Sequence, residues 1–437
     1  MTTQGSMPNA YVPGQGNLSP EGQALVERRA RALGPAYRLF YETPVHLVRG
    51  AGVWLYDTDG NAYLDAYNNV ASVGHCHPAV VTATATQSAI FASHTRYLHS
   101  TVLDYAEALL ATHAPALSNA MFTCTGSEAN DLAFRIARAH TGGTGFIVTE
   151  NAYHGVTFAI AGMSPSLGAG VDLGAHIRTI PAPDPQRLPG DLATAFAAGV
   201  QTAIDDMHRH GIRPAGLIVD TIFSSDGIFA DPPGFLAPAV AVIRAAGGVF
   251  IADEVQAGFG RTGDAMWGYQ RHGLIPDIVT MGKPMGNGYP VAGLVVQPSV
   301  VAAFGAKSRY FNTFGGNAVA AATAMAVLRV VQDEGLQTNA RDVGGYFVTG
   351  LRSLAKSHDC IGDIRAAGLF IGVDIITGDP TTPNAAKTAR IVNAMRAARV
   401  LISSSGPRSN VLKIRPPLVF NRANVDYFLE RLEGVLR

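Results

Sequence analysis

From about residue 80 the chain alternates short apolar runs with longer helical patterns, and that alternation leaves few folds open. The runs at 120–124, 145–149, 216–219, 247–252, 277–281 and 292–296 are almost continuously apolar. A strand covered on one face would alternate instead, so these runs fit a sheet buried on both sides. Helical spacing over 127–140, 191–210 and 238–246 separates most of them. This rhythm predicts an α/β fold around a mostly parallel, helix-covered sheet. Outside it, 21–39 has helical spacing, and apolar runs at 53–56 and 62–64 flank Asp57-Thr-Asp-Gly60, a hairpin signal. Helical patterns at 318–332, 341–357 and 424–436 and a strand-rich piece at 364–375 follow the sheet region. A length of 437 residues exceeds what one small core needs. The expected division is a small domain built from 1–65 and 316–437, around a large domain over 66–315.

Composition narrows the function classes. Charged residues are only 15% of the chain, apolar residues 47%, and the formal net charge is zero. Nucleic acids and anionic membranes select basic surfaces, so neither is an expected partner. Low charge with high apolar content also fits a chain that hides surface in an oligomer. Cys76, Cys124 and Cys360 are scattered and odd in number, which reads as reduced thiols in a cytoplasmic protein. The polar, Gly- and Pro-containing opening 1–20 has no apolar core of the kind a signal peptide needs. No apolar run reaches the roughly eighteen residues of a membrane span. The triplet His75-Cys76-His77 is not read as a metal site, because its spacing suits a turn and no further ligand cluster accompanies it.

Lysine is scarce. There are five, the first of them Lys283, at the end of Asp277-Ile-Val-Thr-Met-Gly-Lys283 and before the turn-rich Pro284-Met-Gly-Asn-Gly-Tyr-Pro290. An amine at the exit of a buried strand is readily desolvated, which lowers its pKa and suits Schiff-base chemistry. A solvated strand-end lysine is the plain alternative. Thr125-Gly-Ser-Glu-Ala-Asn130 lies between an apolar run and an amphipathic helix. Gly126 and Ser127 at such a helix start offer free N–H groups to a phosphate, although Ser127 also reads as an ordinary N-cap. Asn151-Ala-Tyr-His-Gly155 puts an aromatic at the next strand end, able to stack on a flat ring or simply to pack. Ile251-Ala-Asp-Glu-Val-Gln256 carries Asp253 at the carboxyl end of an apolar strand, where ligands of such sheets bind. A solvated Asp-Glu pair opening a loop is the alternative there. Together these strand ends supply an amine, a phosphate cradle, a ring stacker and a carboxylate for a pyridinium. Those are the requirements of pyridoxal 5'-phosphate.

With these residues in place, the chain resembles the class III aminotransferases of fold type I, from about Tyr37 to the C-terminus. The resemblance is carried by Thr125–Asn130, Asp253-Glu-Val-Gln256, Gly258-Phe-Gly-Arg-Thr-Gly263, Lys283 and Phe311-Asn-Thr-Phe-Gly-Gly-Asn317. It implies a seven-stranded, mostly parallel sheet in the large domain. It also implies that Lys283 bonds the cofactor and later moves protons, while Asp253 pairs with the pyridine nitrogen. Gln256 would lie near the phenolic oxygen, and Tyr153 and Val255 would sandwich the ring, with His154 beside them. Gly126 and Ser127 would hold the phosphate, completed by Thr313 from the other subunit of a homodimer.

A narrower likeness, to a phospholyase branch of that family, rests on four stretches. They are Asn68-Asn-Val-Ala-Ser-Val-Gly-His-Cys-His-Pro78, Arg96-Tyr-Leu-His99, Met281 to Val291, and Leu412-Lys-Ile-Arg-Pro-Pro417. That branch implies elimination of phosphate and ammonia from O-phosphoethanolamine or a related phosphoamine. The chain departs from the usual aminotransferase pattern at one place. An arginine normally stands three residues before the Pro-Pro pair to grip a carboxylate, whereas Lys413 stands there here and Arg415 follows. The acid that often partners that arginine is a glutamate in the family and Asp220 here. On a strand, positions 413 and 415 face the same side, and two cations together suit a dianion. The alternatives are a structural acid partner for Arg415 and an ω-aminotransferase using pyruvate or glyoxylate. A non-catalytic cofactor-binding regulator is disfavoured by the presence of both Lys283 and Asp253. No G-x-G-x-x-G opens a helix after the first strand of a βαβ unit, which disfavours a nicotinamide dehydrogenase.

Overall fold

The computed structural model describes Met7, residues 9–188 and residues 190–437. The opening segment 1–20 therefore lies partly outside the described residues. Seven strands form the central sheet in the order Asn119–Thr123, Ala292–Val296, Ile278–Met281, Val249–Asp253, Pro214–Asp220, Gly145–Thr149, Ile177–Ile180. Ala292–Val296 runs antiparallel to both neighbours, and the other pairings are parallel. The strands Gly145–Thr149 and Val249–Asp253 are buried at every position, as two-faced coverage requires. All six expected strands occur within two residues of their predicted bounds. Ile177–Ile180 was not anticipated: at an edge it has only four residues, and its polar pair Arg178-Thr179 hides the apolar signal.

The helices covering the sheet follow their local chemistry. Gly126–Thr141 buries Leu132, Phe134 and Ile136 against the sheet side, while Leu192–Arg209 buries Phe196, Val200 and Ile204. Asp191 caps the latter by accepting from the Thr194 N–H. The first helix is shorter than its spacing predicts. It runs Pro20–Leu33 and stops at Gly34, whose φ of 69° a side chain would resist.

The chain ends meet. Leu47–Ala51, Trp54–Asp57 and Ala62–Asp65 form an antiparallel meander, the hairpin at Asp57–Gly60 among them, and Ala62–Asp65 also pairs in parallel with Val400–Leu401. A further antiparallel sheet joins Ile361–Ala367, Phe370–Thr377, Val411–Ile414 and Ser403–Ser405. One apolar core holds Leu64 and Val73 from the N-terminal part against Phe347, Leu412 and Phe428 from the C-terminal part. Another holds Phe196, Leu217, Phe250 and Val279 around the central sheet. Among the described residues no helix is long and apolar enough to cross a membrane.

Candidate functional site

One cavity opens where the parallel strands end. Gly126, Ser127, Tyr153, His154, Asp253, Val255, Gln256 and Lys283, eight residues singled out from the sequence, all line it. Sheet geometry accounts for this: parallel strands deliver their carboxyl ends to one edge, and the loops that follow converge there. Thr313 is exposed and is not among the residues lining the cavity.

At one side of the cavity lies the start of the helix Gly126–Thr141. Its cap is Thr125 rather than Ser127, which corrects the plain reading of Ser127. The Thr125 hydroxyl accepts from the Glu128 N–H at 3.2 Å, and Glu128 Oε2 accepts from the Thr125 N–H at 3.1 Å. With that box closed, the N–H groups of Gly126 and Ser127 are left without intrahelical partners. Glycine is required nearby. A Cβ at Gly126 would meet Val255 Cγ2 at 2.9 Å, and one at Gly155 would meet Ser127 Oγ at 2.5 Å.

Asp253 ends its strand only 4% exposed. Its Oδ2 accepts from Asn130 Nδ2 at 2.9 Å and meets His154 Nδ1 at 2.8 Å, while Oδ1 accepts from the Val255 N–H at 3.1 Å. A carboxylate only accepts, so His154 carries its proton on Nδ1. Among the described residues His154 Nε2 is buried with no partner. Asn130 is held in turn by Thr280, whose hydroxyl donates to Oδ1 at 2.6 Å. Neither Asn130 nor Thr280 was assigned this role from the sequence. Glu254 is not the solvated half of a pair. It is fully buried, accepts from the Thr221 hydroxyl and from the N–H groups of Gly268 and Tyr269, and burial pushes it up to about 7. Its role is to pin the loop that follows the strand.

Lys283 starts a short 3₁₀ turn with φ of 29°, a strained conformation for a side-chain-bearing residue. Burial, then the charge of Arg415, lowers its amine from 10.5 to about 8, against the pull of Asp253 and Asp220. This places a nucleophilic, partly neutral amine at the cavity wall at neutral pH.

Arg415 donates to the Gln256 side chain, and both Lys413 and Arg415 fall outside the residues that line this cavity. Both are buried, and both sit over the Phe370 ring, 5.6 and 5.9 Å from its centroid. Lys413 Nζ donates to the Ser224 carbonyl at 3.2 Å, and Arg415 Nε donates to the Tyr67 carbonyl at 2.9 Å. Among the described residues neither is within ion-pair distance of a carboxylate, so the structural acid partner considered for Arg415 is not there. Burial, then Arg415, holds Lys413 well below the usual lysine range. Asp220 lines the cavity and accepts from the Ser224 N–H at 3.0 Å and from its hydroxyl. The His75-Cys76-His77 histidines turn to different acids, His75 to Asp65 at 2.7 Å and His77 to Glu334 at 3.0 Å.

Comparison with known proteins gives this arrangement its family. Residues 40–436 match Aminotransferase class-III. A Drosophila melanogaster protein named alanine–glyoxylate aminotransferase 2-like is 39% identical over 419 residues, spanning 92% of this chain and 85% of its own. The Caenorhabditis elegans ethanolamine-phosphate phospho-lyase homolog 1 is 36% identical over 436 residues, 95% of this chain and 93% of its own. The solved structure of a phospholyase from Arthrobacter in complex with phosphoethanolamine has a TM-score of 0.91 at 44% identity, covering 94% of this chain and 99% of that one. A match over nearly the whole chain, on a seven-stranded mostly parallel sheet, leads to one conclusion: the protein belongs to the class III aminotransferases, a family of pyridoxal-phosphate-dependent fold type I enzymes.

Proposed function

We propose that this enzyme is a phospholyase that eliminates phosphate and ammonia from O-phosphoethanolamine or a closely related phosphoamine, using pyridoxal 5'-phosphate. The observation that carries the reading is the pair of buried cations Lys413 and Arg415, neither ion-paired among the described residues, beside the cavity that holds Lys283. Buried cations without an acid partner are costly, and an incoming dianion relieves that cost. The Arthrobacter phospholyase with phosphoethanolamine and the Caenorhabditis elegans phospho-lyase homolog support the same reading.

The donor set fits the cofactor. Free N–H groups at a helix start, with glycines at 126 and 155 where a Cβ would fill the cradle, suit its phosphate. Tyr153 and Val255 supply flat and branched faces for a ring, Asp253 a carboxylate for its nitrogen, and Gln256 an amide for its phenolic oxygen. His154 and Asn130 hold Asp253 in place. In this reading a second copy of the chain completes the site with Thr313. The exposed apolar residues around it support that assembly, Phe314 at 70%, Tyr97 at 64% and Leu98 at 97%. Arg96 stacks over Phe311 at 3.7 Å and so joins the 96–98 and 311–314 segments into one patch. The division at 65/66 and 315/316 into a small and a large domain, and a cytoplasmic location based on three free cysteines, belong to the same proposal.

When bound, pyridoxal phosphate supplies an aldehyde for the substrate amine and a ring that accepts electrons from the adjacent carbon. Lys283 Nζ takes the proton from that carbon, a task suited to an amine lowered toward neutrality. Asp253 keeps a proton on the ring nitrogen. Lys413 and Arg415 bind the phosphate on the next carbon and stabilise its departure as a dianion. One water is consumed, and O-phosphoethanolamine leaves as acetaldehyde, ammonia and phosphate.

Lys413→Met tests the substrate side. It is expected to raise KM for O-phosphoethanolamine about tenfold to a hundredfold, the worth of a charged hydrogen bond, while melting temperature holds or rises. Unchanged KM would remove Lys413 from the phosphate site. Gly155→Ala tests the cradle. Its backbone sits at φ of 137° and a Cβ there would meet Ser127 Oγ at 2.5 Å. Cofactor dissociation, followed by fluorescence, is expected to weaken about tenfold or more; retention at the wild-type level would place the phosphate elsewhere.

A further inference from the structure

Among the described residues Arg415 and Asp220 form no ion pair, yet an unbroken chain of hydrogen bonds joins them. Arg415 Nη1 donates to Gln256 Oε1, Gln256 Nε2 donates to Ser224 Oγ at 2.5 Å, and Ser224 Oγ donates to Asp220 Oδ2. The direction of this chain is set from the Arg415 end. A guanidinium can only donate, so Gln256 Oε1 must accept and its Nε2 is turned to Ser224, while burial and then Asp253 push the Asp220 carboxyl up. Arg415 and Gln256 are more than nine-tenths buried, Ser224 is fully buried and Asp220 is partly buried. Inside a low-dielectric site such a one-way chain polarises each member toward the next.

Resting on the cofactor site proposed above, we propose that Ser224 is a positioning residue for that site: it fixes the face that Gln256 turns to the cofactor. Ser224 is not itself among the residues lining the cavity, and it acts through the Gln256 amide, which does line it. With Oε1 committed to Arg415 and one N–H to Ser224, Gln256 has a single free N–H, and its orientation is set. Ser224 also anchors the other cation, because its carbonyl accepts from Lys413 Nζ at 3.2 Å and from the Ser405 hydroxyl at 2.8 Å. Those contacts use the backbone, so Ser224→Ala removes the hydroxyl alone.

The test is a double-mutant cycle on the cofactor-loaded enzyme, read by the position of its visible absorption band and by kcat and KM. Ser224→Ala is expected to shift the band and to lower kcat about tenfold to a hundredfold, the range for a charged buried hydrogen bond, with little change in KM. In a Gln256→Ala background the same substitution is expected to change neither band nor kcat by more than about twofold. An unmoved band with kcat intact in Ser224→Ala would overturn the inference, and so would an equal loss in both backgrounds. If Ser224→Ala does not fold, Ser224→Cys, of similar size and a weak donor, carries the same cycle. Absence of any visible band in the wild-type enzyme after addition of pyridoxal phosphate is a different failure. It would overturn the cofactor site itself.

Discussion

Lys283→Ala is expected to cost about 10⁴-fold or more in turnover, because in the proposed site it removes at once the covalent anchor of the cofactor and the base that moves the substrate proton. The variant should remain folded, since what it deletes is a desolvated amine on a strained turn with φ of 29°. Lys283→Arg should fail almost as completely, because a guanidinium stays protonated and cannot act as the base. The pH behaviour follows from the lowered amine. Burial first, and Arg415 second, bring it from 10.5 to about 8. Only the neutral amine can attack the cofactor, so the rate at which apoprotein acquires its visible band should rise with pH through about 8 and then level off. Stability has the same sign. Between about 8 and 10.5 the unfolded chain holds a proton on Lys283 that the folded chain has released, so this group adds stability as pH rises through that window. Alkaline melts of apoprotein should therefore show a gain that Lys283→Ala abolishes; an identical profile in both would refute the buried-amine account.

Asp253→Asn should be the next most damaging change, about 10² to 10³-fold in kcat, the worth of a preorganised charge at the developing ion. The substitution keeps the shape and the hydrogen bond to the Val255 N–H, but an amide cannot hold a proton on the ring nitrogen. It also disturbs the support, because Asn130 Nδ2 and His154 Nδ1 both meet Asp253 Oδ2. KM should move little, since in the proposed site the carboxylate serves the electron-accepting ring rather than the substrate. A variant with near-normal kcat would mean that the ring nitrogen is held by another group. Thr280→Val, which breaks only the outermost link to Asn130, should give a smaller loss in the same parameter.

The sequence made the first layer of the site visible because that layer is locally encoded. An apolar strand ending in Asp253 or running to Lys283, and a glycine at the opening of a helix at Gly126, declare themselves within ten residues. The supporting layer is encoded at long range. Asn130 reaches Asp253 across 123 positions and Thr280 across 150, so no local pattern announces either contact. Ser224 sits in a loop after Pro214–Asp220 whose course depends on positive φ at Phe223 and Ile228, a conformation their side chains do not signal. For Lys413 and Arg415, strand periodicity places both on one side, which lies over Phe370, but their partners come from 189 and 348 positions away. The edge strand Ile177–Ile180 was hidden by its length, and the early end of the first helix by a glycine whose stop became clear only with its backbone angle.

In the proposed function the buried Lys413 and Arg415 steer the reaction toward loss of phosphate, and this holds or fails on a single count. It is tested most directly by counting inorganic phosphate released from O-phosphoethanolamine per subunit of holoenzyme, with no keto-acid acceptor present. Many phosphates per subunit are expected, with ammonia and acetaldehyde in equal amounts. No phosphate, with conversion of the cofactor to its pyridoxamine form by simple amines, would contradict it and make the protein an aminotransferase.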